Sequence, residues 1–170
     1  MVCTGNICRS AMAEVVLNNH LKSAGLDAVV ESAGVSAEEY GNPIDYRAAK
    51  TLRRAGYEVP NHSARQVQAH ELGNYDLVLA MTSQHFNRLE SLAERAGIQV
   101  RQNPQPGDKS ATDIRMFRAF EPGMAEHQPR HRRDLDVPDP WYGDQSDFEE
   151  TLDTIEAAAD AIVEHVREQL

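Results

Sequence analysis

Eight residues near the start of the chain, Cys3-Thr4-Gly5-Asn6-Ile7-Cys8-Arg9-Ser10, constrain the fold more than any other segment. They lead straight into a helical pattern: Met12, Val15, Val16 and Leu21 recur near the 3.6-residue period, so a helix is predicted from Ser10 to Ala24, stopped by Gly25. A loop that ends at a helix N-terminus can turn successive backbone N–H groups inward, and the helix adds positive potential, so the loop can close around a tetrahedral anion. The same field favours a thiolate on Cys3, a candidate nucleophile. Arg9 can hold two oxygens of the anion in a planar fork, which a lysine cannot. Gly5 allows backbone angles that other residues resist, and Ser10 is a candidate hydroxyl donor to the Cys3 sulfur. Taken alone, Cys-x5-Arg also fits a plain strand-to-helix turn with two buried cysteines.

The rest of the chain alternates strand and helix patterns. Ala28 to Ser32 is a short β-prone run closed by Ala33-Gly34. Asn42-Pro43-Ile44-Asp45 reads as a helix entrance, with Asn as cap and Pro in the first turn, for a helix running to Ala55 before Gly56. Leu77 to Met81 is the most apolar short run and predicts a strand buried on both faces. A helix from Gln84 to Ala96 follows, ended by Gly97. Arg101 to Thr112 reads as a surface loop, Ile114 to Phe117 as a weaker strand, and the proline-rich Phe120 to Pro140 as loop. In the last helix Asp147 is the expected cap, with Glu150 at capping-box spacing. Phe148, Leu152, Ile155, Ala159, Ile162 and Val166 form its apolar stripe. This order predicts an α/β fold: one domain over residues 1–170, a Rossmann-like sandwich with a central four-stranded parallel sheet and helices on both faces. The site then lies at the carboxyl ends of the strands.

Composition narrows the function. With 17 Lys+Arg against 27 Asp+Glu, the net charge is −10, which argues against a nucleic-acid binder. No apolar run approaches the roughly 20 residues of a membrane span, and no secretory pattern is visible, so the expected setting is the cytoplasm. The chain has two cysteines, a count that excludes a disulfide scaffold or a four-ligand zinc site.

The whole string Val-Cys-x-Gly-Asn-x-Cys-Arg-Ser, together with Asp139-Pro140-Trp141-Tyr142-Gly143-Asp144 and Ser146-Asp147-Phe148-Glu149-Glu150, resembles the low-molecular-weight protein tyrosine phosphatases, and actinobacterial members most. The resemblance covers nearly the whole chain. It implies hydrolysis of phosphotyrosine through a phosphocysteine on Cys3, with Asp139 as general acid and then base. Arg9 and the amides of Thr4, Gly5, Asn6, Ile7, Cys8 and Ser10 would hold the phosphoryl group, so neither cofactor nor metal is implied. Asn6 matches the residue that braces the loop, and Cys8 a second cysteine that pairs reversibly with Cys3 on oxidation. The implied partners are tyrosine-phosphorylated proteins met by a monomer, without nucleic acid or membrane.

Four features depart from the family. Ala11 replaces a proline, and Thr82 stands where an Asp is usual after the buried strand. The segment Gly97 to Thr112 is longer than in relatives. Glu38 stands where bacterial members carry Trp. The expected substrate mouth is therefore Glu38 and Tyr40 on one side, with Trp141 and Tyr142 opposite. Glu38 and Glu39 would either repel a phosphotyrosine dianion there or face solvent. His127-x3-His131 has metal-like spacing without a further ligand set, and Arg130-His131-Arg132-Arg133 is either a solvated run or a docking patch for acidic residues. Two other functions fit parts of the pattern: a thiol-coupled arsenate reductase on the same fold, and a non-catalytic phosphotyrosine-binding module. Thioredoxin-coupled reductases need a downstream cysteine pair that this chain lacks, and those coupled to a small thiol escape that argument but usually lack Gly-Asn-x-Cys in the loop; the binding module would need a missing nucleophile or acid. Finally, only Met1 and Val2 precede Cys3, a reach of about 7 Å against the roughly 17–20 Å of a common strand. The expectation is a truncated first strand, with the natural start upstream of Met1.

Overall fold

The apolar run Leu77–Ala80 forms strand β3 at the centre of a parallel sheet in a computed structural model that describes residues 1–124 and 131–170. In chain order the elements are β1 (Val2–Cys3), α1 (Arg9–Ser23), β2 (Ala33–Gly34), α2 (Tyr46–Arg54), β3, α3 (Ser83–Ala96), β4 (Gln99–Val100), β5 (Ala111–Met116) and α4 (Gln145–Gln169). The sheet order is β2-β1-β3-β5-β4, and every pair is parallel. Val2 sits between Ala33 and Ala80, and β3 runs beside β5 from Leu77↔Asp113 to Ala80↔Met116.

Alternation along β3 sends side chains to two cores, as a strand covered on both faces requires. Leu79 and Met81 join Met12, Val16, Leu52, Phe148 and Ile155 under α1, α2 and α4. Val78 and Ala80 join Leu89, Ile114 and Met116 under α3. The predicted α4 stripe is the one that packs: Phe148 and Ile155 are fully buried, at about 1.5–3 kcal/mol for each large apolar side chain. α3 ends where expected, with Gly97 in the left-handed region at φ 70°.

Several boundaries differ from the sequence reading, each because a tertiary contact decides it. The sheet has five strands rather than four, because Gln99–Val100 pairs with Ala111–Thr112 and adds an edge strand just before the expected loop, whose last two residues begin a strand expected only from Ile114. That longer segment is tied down where Asn103 N donates to Asp113 Oδ2 at 3.0 Å. Residues 28–32 are not a strand; pairing falls on Ala33–Gly34, because β1 reaches only that far. Asp45, not Asn42, caps the second helix and accepts from Arg47 N at 2.8 Å. The Asn42 carbonyl is engaged by Ala64 N instead, which holds that residue in the loop. α4 starts earlier than Asp147: Asp144 caps it and Asp147 is the third helical residue that completes the box.

An apolar cleft of about 270 Å³ opens at the amino ends of the strands, between residues 28–31 and 75–79, with Met1, Leu21 and Ile162 in its lining. It lies at the opposite end of the sheet from the loop that follows Cys3. No helix among the described residues is long and apolar enough to cross a membrane.

Candidate active site

Cys3 ends β1 and Arg9 begins α1, so Thr4 to Cys8 form the loop at the carboxyl end of the sheet. Asn6 is what shapes it. Its backbone is left-handed at φ 62°, a conformation that Asn tolerates better than most residues, and the side chain is fully buried. Asn6 Nδ2 donates to Ser10 Oγ at 3.0 Å and Ser32 Oγ at 2.8 Å, while Oδ1 accepts from Arg65 N at 3.0 Å. His62 Nε2 donates to the Asn6 carbonyl at 2.6 Å, and the Ser32 hydroxyl donates to the Glu14 carboxylate. Gly34 lets β2 approach: a Cβ there would stand 2.5 Å from the Thr4 carbonyl oxygen.

The Cys3 sulfur receives the Asn6 N–H at 3.3 Å and lies 3.0 Å from Ser10 Oγ. Cys3 and Cys8 are both buried free thiols. Burial, then the Asp45 carboxylate, pushes the Cys8 thiol far up, so Cys8 stays protonated. The Ile7 carbonyl accepts from Asp45 N at 2.9 Å, which ties the loop to the start of α2.

Arg9 is buried, and its guanidinium reaches the loop before α4. Nη1 donates to the Val137 carbonyl at 3.4 Å and Nη2 to Asp139 Oδ2 at 3.0 Å. Trp141 N donates to Asp139 Oδ1 at 3.2 Å, and the Asp139 side chain is half exposed. Of the three residues expected to carry chemistry, Arg9 and Asp139 meet directly although 130 positions apart, and Cys3 stands at the other end of the loop that leads to Arg9.

The expected mouth divides. Tyr40 and Tyr142 are exposed, and Trp141 is partly so. Glu38 is exposed, with its N–H on Ser36 Oγ; it is the Glu39 side chain whose methylenes lie against Gly5, and its Oε2 accepts from Asn42 Nδ2 at 2.6 Å. Thr82 caps α3, and its Oγ1 lies 3.0 Å from His85 Nδ1. The other ring nitrogen of His85 lies 2.9 Å from Thr4 Oγ1. Burial, with the Arg9 charge adding to it, lowers His85 to about 4, so the ring is neutral at pH 7.

Sequence reasoning missed Ser32, His62, His85 and Arg47, each of which contacts the phosphate loop or the acid loop. No local pattern marks them; each becomes visible only when distant segments meet. Of the weaker signals, His127 and Arg130 lie outside the described residues. Arg132 is already engaged, 3.8 Å over the Phe86 ring and 3.1 Å from Asn87 Oδ1.

A family model described as low molecular weight phosphotyrosine protein phosphatase matches residues 1–170. The chain is 39% identical to a low molecular weight protein-tyrosine-phosphatase of Streptomyces coelicolor over 99% of this chain and 93% of that protein. It is 40% identical to low molecular weight protein-tyrosine phosphatase A of Mycobacterium tuberculosis, over 99% and 91%. Among solved structures, a Vibrio cholerae low molecular weight phosphotyrosine phosphatase superposes with a TM-score of 0.76 at 27% identity, covering 99% of this chain and 95% of that one.

Proposed function

Because the chain belongs to the low molecular weight phosphotyrosine protein phosphatase family, we propose that residues 1–170 form one cysteine-dependent phosphatase domain that hydrolyses phosphotyrosine in proteins. In the first step the Cys3 thiolate attacks phosphorus. The phosphorus–oxygen bond to the tyrosine breaks, and its electron pair leaves with the phenolic oxygen, which takes a proton from Asp139. The product of this step is a phosphocysteine and free tyrosine. In the second step Asp139 accepts a proton from water as the water oxygen bonds to phosphorus. The sulfur–phosphorus bond breaks, and Cys3 leaves as a thiolate that the Ser10 hydroxyl stabilises. Arg9 and the N–H groups of Thr4 to Ser10 hold the non-bridging oxygens through both steps, where charge builds in the transition state.

The observation that carries this reading is that one buried loop holds the Cys3 sulfur beside Ser10 Oγ at its start and ends at Arg9, whose guanidinium pairs with Asp139. The reading extends to a monomer working in the cytoplasm on phosphoproteins, with no nucleic-acid or membrane partner; the charge of −10 supports the first exclusion. Hydrolysis of a chromogenic aryl phosphate tests it. Cys3→Ser should show no turnover above background while inorganic phosphate still binds the loop. Turnover retained in that variant would overturn the nucleophile assignment.

A further inference from the structure

Arg47 sits on the first turn of α2, and every nitrogen of its guanidinium is engaged. Nε donates to Asp45 Oδ1 and Nη2 to Asp45 Oδ2, both at 3.1 Å. This two-point fork fixes the plane of the group. Asp45 is itself anchored: its side chain is nearly buried, it caps α2, and its N–H is bonded to the Ile7 carbonyl of the phosphate loop. The remaining nitrogen, Nη1, reaches the far loop and donates to the Trp141 carbonyl at 3.1 Å and the Gly143 carbonyl at 3.4 Å. The same guanidinium lies over the Phe148 ring at 4.5 Å and the Trp141 ring at 5.5 Å.

Trp141 is thus held at both ends. Its carbonyl is held by Arg47, and its N–H holds Asp139 Oδ1. Half of the Asp139 side chain is exposed, so packing does not fix it; Arg9 holds Oδ2, and the Trp141 N–H fixes Oδ1 and so the plane of the carboxyl. We infer that Arg47 is a positioning residue for proton donation: through Asp45 and Trp141 it sets where the Asp139 carboxyl stands relative to the phosphate loop. This rests on the reading of Asp139 as the acid. The Arg47 guanidinium is committed to Asp45, Trp141 and Gly143, so it acts through Trp141 rather than on the reacting atoms. A misplacement of about 1 Å at a reacting group can cost on the order of 100-fold, which is why such a clamp matters.

The test is kcat/KM over a series of aryl phosphates, from strongly acidic phenols to phenols near the tyrosine value of about 10. Inhibition by inorganic phosphate is measured alongside, to report on the phosphate loop. Arg47→Met should lose about 10–100-fold on the poorest leaving groups and no more than about twofold on the best, with phosphate inhibition unchanged within about twofold. Asp45→Asn keeps a good helix cap and weakens the fork, so it should show the same slope at smaller amplitude, and it decides the matter if Arg47→Met does not fold. A uniform loss across the series, or none, overturns the positioning role. Asp139→Asn separates the two readings. If it shows the leaving-group slope and Arg47→Met does not, only the clamp is wrong. If Asp139→Asn itself loses equally on all substrates, the acid assignment fails and this inference fails with it.

Discussion

The phosphate loop and the acid loop meet at one ion pair but are built in opposite ways. In the phosphate loop, Asn6 and Ser10 are fully buried and Arg9 nearly so. Asn6 alone has partners on its amide, carboxamide oxygen and carbonyl. In the acid loop the Asp139 side chain is 50% exposed and Tyr142 94% exposed, and contacts from Arg9 and Arg47 hold the segment in place. The chemistry explains the contrast. Stabilising a phosphoryl transition state needs fixed dipoles that do not reorganise during reaction, and burial supplies them. Passing a proton to a departing phenol and then taking one from water needs a group that both can reach.

The comparison predicts that the two loops fail differently. The largest effect is kinetic and belongs to the acid loop: Asp139→Asn should lower kcat/KM on poor leaving groups by about 10²–10⁴-fold. Its urea midpoint should stay close to that of the parent. A large drop in that midpoint would mean that the acid loop is as structural as the phosphate loop. Asn6→Ala should instead damage stability and activity together. It strands the Arg65 N–H and leaves an alanine in the left-handed region, at a cost of roughly 2–4 kcal/mol in urea unfolding. Loss of activity with no loss of stability would show that the bracing network is not what holds the loop.

A further effect of similar size concerns the buried edge of the phosphate loop and depends on pH. The His85 ring binds a proton near 6.5 when unfolded but only near 4 when folded. Between those values the unfolded chain carries more protons, so stability falls as pH drops through the window; above it His85 contributes no slope. The loss across the window is on the order of 3 kcal/mol. Unfolding free energy measured from about pH 7.5 to about pH 4.5 should therefore fall in the parent and fall less in His85→Gln. Equal slopes would remove His85 as the cause. The smallest effect is at the outermost point of the acid loop. Tyr142→Ala should change stability by no more than about 0.5 kcal/mol, as for an exposed residue with little packing.

Much of the site was legible because its parts are contiguous. Cys3 to Ser10 carry nucleophile, anion fork and hydroxyl within one strand-to-helix turn, and the geometry of that turn is local. Asp139 was legible only through the resemblance of Asp139-Pro140-Trp141 to a known motif. Nothing in the segment itself says that its carboxylate meets Arg9. The α4 stripe and the Gly97 stop were readable for the same local reason: helical period and left-handed backbone are properties of a few consecutive residues.

What the sequence determined by itself was therefore the set of short-range features: the loop at Cys3–Ser10, the buried run at 77–80, the apolar stripe of α4 and the parallel α/β class that their order requires. What only the tertiary structure decided was where elements begin and which side chains meet. β2 falls on Ala33–Gly34 because β1 pairs there, and α2 starts after Asp45 because Asp45 is bonded to Ile7. Ser32 reaches Asn6 across 26 positions, His85 reaches Thr4 across 81 and Arg47 reaches Trp141 across 94. Hydrogen bonds act over about 3 Å of space, so separation along the chain leaves no trace of them until the sheet has brought the segments together.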